Sequence, residues 1–199
     1  MYKLYVRPGA CSKAINVLLR ELDQKVEVID ARTLEGFKSI SPTGAVPAMI
    51  DEQGNTFVEG VAIILHLLEK HNSTMLPKEL LKKTDFIRWL TFANATMHPA
   101  YSRLFFLNAV VKDEVEKANT LKAAAAKVSE YWQIVEDKLS KQRYMGGDQI
   151  NIVDVWLAVY AGWNAYFPVE VTIGAKAKAM IADVQAMPSF KAATESEKF

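Results

Sequence analysis

The stretch YKLYVRPGACSKAINVLLRELD, Tyr2 to Asp23, decides how the chain starts to fold. Tyr2, Leu4 and Val6 alternate along YKLYV, which places them on one face of a strand. From Ser12 the period changes, and Ile15, Leu18, Leu19 and Leu22 fall at helical spacing. Between the two patterns lies Pro8-Gly9, a turn pair, and then Cys11, the single cysteine in 199 residues. Strand, tight turn and helix in that order begin a βα unit. The order also sets a lone thiol at a helix N-terminus.

Working outward, KVEVID supplies a second strand, and a loop-rich stretch follows with at most a short helix between Thr33 and Ser39. VPAMID and TFV read as a hairpin across EQGN, where Gly54-Asn55 is a turn signal. GVAIILHLLEKH then closes the unit as a helix, with Val61, Ile64, Leu65 and Leu68 on one side. The result is a βαβ-ββα pattern. After HNSTMLP the strand patterns stop, so two domains are expected, 1–75 of α/β type and 76–199 all-helical.

In the second part, Lys78 to Val111 reads as helical, with Pro99 forcing a kink or break because it lacks a backbone donor. DEVEKANTLKAAAAKVSEYWQIVEDKLSK has no Gly or Pro and is the clearest helix of the chain. Asn151 and Asp154 are spaced as a capping box for the next helix, with Ile150 and Val155 as a hydrophobic staple. AKAKAMIADVQAMPSF reads as a final helical segment.

Half of the residues are apolar, enough for a substantial core. With 24 Lys and Arg against 23 Asp and Glu, no charge excess favours nucleic acid or an anionic membrane as partner. A small neutral or zwitterionic ligand fits better. The opening residues lack a secretory pattern and no apolar run is long enough to span a bilayer, so a cytoplasmic location is expected. One cysteine and three histidines without clustering imply no metal site.

The thiol has two readings. A helix N-terminus lowers a cysteine pKa, with Arg7 and Lys13 adding positive potential and the Ser12 hydroxyl within reach of the sulfur. A free cysteine is equally often a small buried residue. The third residue after Cys11 is Ala14, so no resolving cysteine is present and any disulfide is formed with an outside thiol. Val46-Pro47 stands at the entrance to a strand, as an ordinary strand-entry proline or as an edge or cis turn that leaves Val46 backbone groups for an extended ligand. At the next helix start, Gly60 permits close approach and Glu59 can accept from an ammonium, or simply complement the helix dipole.

Taken together, PGACS, GAVPA and VEGVAI, followed by a helical half with a capped NIVD segment, resemble the cytosolic glutathione S-transferases, most of all the bacterial beta class. The resemblance covers essentially the whole chain. It implies a thioredoxin-like α/β N-terminal domain followed by an all-α domain, and an enzyme that takes glutathione as co-substrate and needs no cofactor. It implies further that Cys11, with Ser12 beside it, is catalytic, that Cys11 contacts the glutathione sulfur, that Val46 pairs with the cysteinyl part, and that Glu59 and Gly60 hold the γ-glutamyl end. His98, in MHPAY, resembles a family residue that faces the active site and joins the expected glutathione-binding set; the residues alone equally allow a hydrogen-bonded helix histidine. A small hydrophobic electrophile, lined by Tyr101, Phe105, Phe106, Trp163 and Tyr166, a role in detoxification and a homodimer are implied as well. Where relatives often carry a tyrosine before the basic residue, this chain has Val6, and the family NPKG reads Ser41-Pro42-Thr43-Gly44. Tyrosine activation and a lysine contact to the glycyl carboxylate are therefore not expected. The alternative in function is a non-catalytic binding or regulatory protein of the same architecture.

Overall fold

The computed structural model describes residues 1–199. Strand β1 (Tyr2–Val6), helix α1 (Ser12–Glu21) and strand β2 (Val26–Asp30) form the expected βαβ step, with β1 and β2 parallel and Tyr2 opposite Val26. Parallel partners need such a crossover, and α1 provides it. β3 (Ala48–Ile50) and β4 (Thr56–Val58) are the hairpin, turned at Gly54 with φ +86°. β3 pairs antiparallel with β1, so the sheet order is β2-β1-β3-β4 and β3 is interior. The edge-strand option for Val46-Pro47 is thereby corrected: Pro47 precedes β3, where no ladder donor is lost. Between β2 and β3 the chain makes two short 3₁₀ turns, Ala31–Thr33 and Phe37–Ser39.

Both faces of β1 are covered, because Tyr5 is buried with Ala31, Phe37 and Ala48 while Leu4 and Val6 are also inaccessible. Strict alternation therefore understates this strand, as expected when a sheet is packed on both sides. Helix α2 (Gly60–Lys70) follows, and α1 packs against it.

Two compact units result, residues 1–86 with 185–199, and residues 87–184. A boundary at 75/76 differs from this division because helix α8 (Pro188–Ser196) packs against α1. The last helical segment is in fact two helices. Pro188 cannot donate to a continuing helix and holds Met187 extended at ψ 135°, so α7 (Ala175–Ala186) stops and α8 begins.

The second unit is helical. α3 (Leu80–Phe92) passes through a π-helical turn at Ala93–Met97 into α4 (His98–Val110), so the α-helical ladder is interrupted just before Pro99, which has no backbone donor to continue it. α5 (Glu114–Leu139) buries Leu121, Ala125, Val128, Trp132, Val135 and Leu139 at helical spacing, and packs on α4. α6 (Ile152–Gly162) is buried from Ile152 through Tyr160, so it is a central helix. No helix is long and apolar enough to cross a membrane.

Candidate functional site

The turn into α1 is built by Pro8 and Gly9. The Ala10 amide donates to the Arg7 carbonyl at 2.9 Å, and Gly9 has φ +74°, which fits a type II turn with proline first and glycine second. The turn delivers Cys11 to the N-cap of α1. Its thiol is buried, 8% exposed, and donates to the Val46 carbonyl at 3.6 Å. Val46 is half-buried and its bond to Pro47 is cis. The amides of Cys11 and Ser12 point at the sulfur and favour its charged form.

Burial outweighs these amides. Removal from water, reinforced by the negative charge of Glu59, pushes the Cys11 thiol up to about 11. The expected lowering by the helix terminus is thus corrected: at neutral pH this group is a thiol and a hydrogen-bond donor. The Ser12 hydroxyl, expected on the sulfur, is fully buried and has no hydrogen-bond partner; the Ser12 amide takes that place. Arg7 donates instead to the Gly44 carbonyl at 2.9 Å, and Lys13 lies over the Phe190 ring at 5.7 Å. Tyr5 packs on Phe37, with ring centroids 5.7 Å apart.

Glu59 is the N-cap of α2, with φ +68° and ψ 114° and no side-chain bond to the helix amides. That backbone region is unfavourable for a residue with a side chain, and a cost of order 1 kcal/mol or more is typical. The carboxylate is exposed while Gly60 is buried. Cys11, Ser12, Val46, Glu59 and Gly60 thus lie in one unit, around the N-terminal ends of α1 and α2.

His98 belongs to the second unit. Its ring packs against Tyr160 and Trp163 at 5.5 and 5.3 Å, and burial holds its pKa below the usual histidine value, so it is neutral at pH 7. Of the expected lining residues, Tyr101 and Trp163 are buried in the core; Tyr101 donates to Asn164 at 2.7 Å and accepts from Trp132 at 2.9 Å. Phe105, Phe106 and Tyr166 are exposed.

One residue at this site has no counterpart in the sequence reading. Glu197, 4% exposed, accepts from the Gly9 amide at 3.3 Å and from the Asn16 amide group at 3.4 Å. Sequence separation hides it, and the one available signal is an acidic residue in an otherwise helical tail.

Comparison with known proteins matches residues 4–75 to the N-terminal domain of glutathione S-transferases and residues 97–187 to their C-terminal domain. Glutathione S-transferase GST-4.5 of Xanthomonas campestris pv. campestris is 28% identical over 167 residues, 81% of each chain. A sphingomonad glutathione S-transferase solved in complex with glutathione is 26% identical with a TM-score of 0.84, covering 98% of both chains. A Sphingomonas chungbukensis enzyme described as a bacterial beta-class glutathione S-transferase is 25% identical with a TM-score of 0.84, again over 98% of both chains. With both domains matched in order over one fold, the chain belongs to the glutathione S-transferase family.

Proposed function

We propose that the protein is a glutathione transferase of beta-class type that holds glutathione in the first unit and transfers it to a small apolar electrophile. The observation that carries this reading is the convergence of the Cys11 sulfur, the Val46 carbonyl and the Glu59 carboxylate at the N-terminal ends of α1 and α2. Glutathione is a tripeptide with an ammonium and a carboxylate at its γ-glutamyl end. Glu59 accepts from the ammonium, the α2 amides near Gly60 receive the carboxylate, and Val46 pairs with the cysteinyl backbone.

Cys11, as a thiol, donates a hydrogen bond to the glutathione sulfur and stabilises it as the thiolate once its proton has passed to solvent; the thiolate then forms the bond to the electrophilic carbon as the leaving group departs with its bonding pair. Thiol exchange uses the same group differently. The deprotonated Cys11 sulfur bonds to one sulfur of glutathione disulfide, the S–S bond breaks, and the other half leaves as glutathione thiolate. A raised Cys11 pKa makes this exchange slow at neutral pH and faster in alkali. His98, neutral at pH 7, serves the second substrate from its aromatic setting in the second unit. The reading includes a homodimer and a detoxification role.

Intact mass after incubation with glutathione disulfide tests it. One adduct is expected on the native chain, forming faster as the pH is raised from 7 to 10, and none on Cys11→Ala. An adduct that forms on the denatured chain and not on the native one contradicts the reading and assigns the chain to the non-catalytic binding proteins of this fold.

A further inference from the structure

Glu197, at the end of α8, contacts the turn before Cys11. A type II turn leaves the amide of its second central residue outside the turn's own hydrogen bond. Here that amide belongs to Gly9, two residues before the thiol, and Glu197 Oε2 accepts from it at 3.3 Å. The carboxylate is itself fixed. Oε1 accepts from Asn16 Nδ2 at 3.4 Å, and Asn16 Nδ2 also donates to Ser196 Oγ at 3.0 Å, whose hydroxyl donates in turn to the Ala193 carbonyl at 2.9 Å. Asn16 Oδ1 in turn accepts from Arg20 Nε at 3.1 Å.

Asn16 and Glu197 are buried and Gly9, Arg20 and Ser196 half-buried, joined in one network between α1 and α8, and such networks hold geometry closely when their members are paired. Burial raises the Glu197 carboxyl above its ordinary value, opposed by the charge of Lys13, the bonds from Gly9 and Asn16 and the charge of Arg20. Of the neighbouring charges on its own segment, Glu195 and Lys198 pair with each other at 2.7 Å in solvent. An uncharged side chain would fill the same space more cheaply, since a buried carboxylate is costly unless it is bonded.

We infer that Glu197 is a positioning residue: reaching from the end of α8, it clamps the Arg7–Ala10 turn and so fixes how deeply the Cys11 sulfur is enclosed. This rests on the role proposed for Cys11 above. Loss of the clamp lets the turn and the N-terminal end of α1 loosen, and the thiol gains water.

The test is alkylation of Cys11 by iodoacetamide across pH 7 to 12, read by intact mass, on the full chain and on Glu197→Ala, Glu197→Asp and Glu197→Gln. The natural chain is expected to show a midpoint near 11. In Glu197→Ala the midpoint falls by about one pH unit, equivalent to about tenfold faster alkylation at pH 8. Glu197→Asp, which keeps the charge but withdraws the oxygens by one methylene, shifts the same way by less and decides alone if the Ala variant does not fold. Glu197→Gln keeps reach and one acceptor oxygen and stays within about twofold of the natural chain. Folded Ala or Asp variants with an unchanged midpoint overturn the inference, even if their melting temperature drops. Because alkylation uses no glutathione, failure here is distinct from failure of the glutathione reading, which shows only in the disulfide adduct.

Discussion

The N-termini of α2 and α6 solve the same physical problem in opposite ways. At α6 the Asn151 side chain accepts from the Val153 and Asp154 amides at 2.8 and 3.4 Å, and Asp154 accepts from the Asn151 and Met145 amides at 2.9 and 2.8 Å. Every one of these side-chain bonds is buried, so the end is closed on itself. At α2 the N-cap is Glu59, exposed, bonded to none of the helix amides and held at φ +68°. A helix start with satisfied donors contributes to folding. One with open donors and a carboxylate on unfavourable backbone is arranged for something that is not part of the chain, and strain of this kind clusters where ligands bind.

The sharpest break of the comparison is Asp154→Ala. It leaves two buried amides without their acceptor, and unfolding in urea should show a loss of about 3 kcal/mol. The rate of glutathione adduct formation per folded molecule should not change. A large change in that rate would make α6 part of the site and dissolve the contrast.

Glu59→Gly sharpens it from the other side. Glycine accepts positive φ without penalty, so stability should rise by about 0.5 to 1 kcal/mol, while glutathione affinity measured by calorimetry falls about tenfold. Equal or lower stability would mean that the Glu59 backbone is not strained, and unchanged affinity would remove its carboxylate from the site.

A smaller effect belongs to Glu136. Its carboxylate, on α5, accepts from the Lys176 and Ala177 amides at 3.0 and 2.8 Å and so caps α7 from a distance. Glu136→Ala should cost about 1 kcal/mol in urea unfolding, as loss of a cap does, with glutathione affinity unaltered.

The Asp154 carboxyl also makes stability depend on pH. Burial outweighs the bonded amides and raises the Asp154 carboxyl to about 6. Its folded pKa lies above its unfolded value, so the folded state holds the proton more tightly. The stability this group contributes is fully present below about pH 4 and is lost as pH rises through 6. Relative to Asp154→Asn, which cannot titrate, the natural chain should lose ground between about pH 4 and 6, and a difference flat across that range contradicts the assignment.

Much of this was legible locally. The change from alternating to helical period at Ser12, the Gly54 turn and the Asn151 to Asp154 capping spacing are short-range patterns, and each stands where the residues put it. What the pattern lacks is depth and partner. Helical spacing along Pro188–Ser196 marks a helix but not that it returns to α1, so the pairing of Glu197 with Gly9 across 188 residues was out of reach. The position of Cys11 at a helix start was plain, yet the sign of its pKa shift depends on burial by surroundings that no spacing reveals. In the second unit, Tyr101 and Trp163 recur at helical intervals suited equally to a lining or a core, and the core took them.

Titration of the labelled protein with reduced glutathione, followed by backbone amide NMR, shows whether the first unit holds glutathione between Cys11, Val46 and Glu59. Saturable shifts concentrated at Cys11, Ser12, Val46, Glu59 and Gly60, with Val153 and Asp154 at the start of α6 unmoved, are the predicted result. A titration that moves none of those five amides, or moves the α6 start instead, would contradict it.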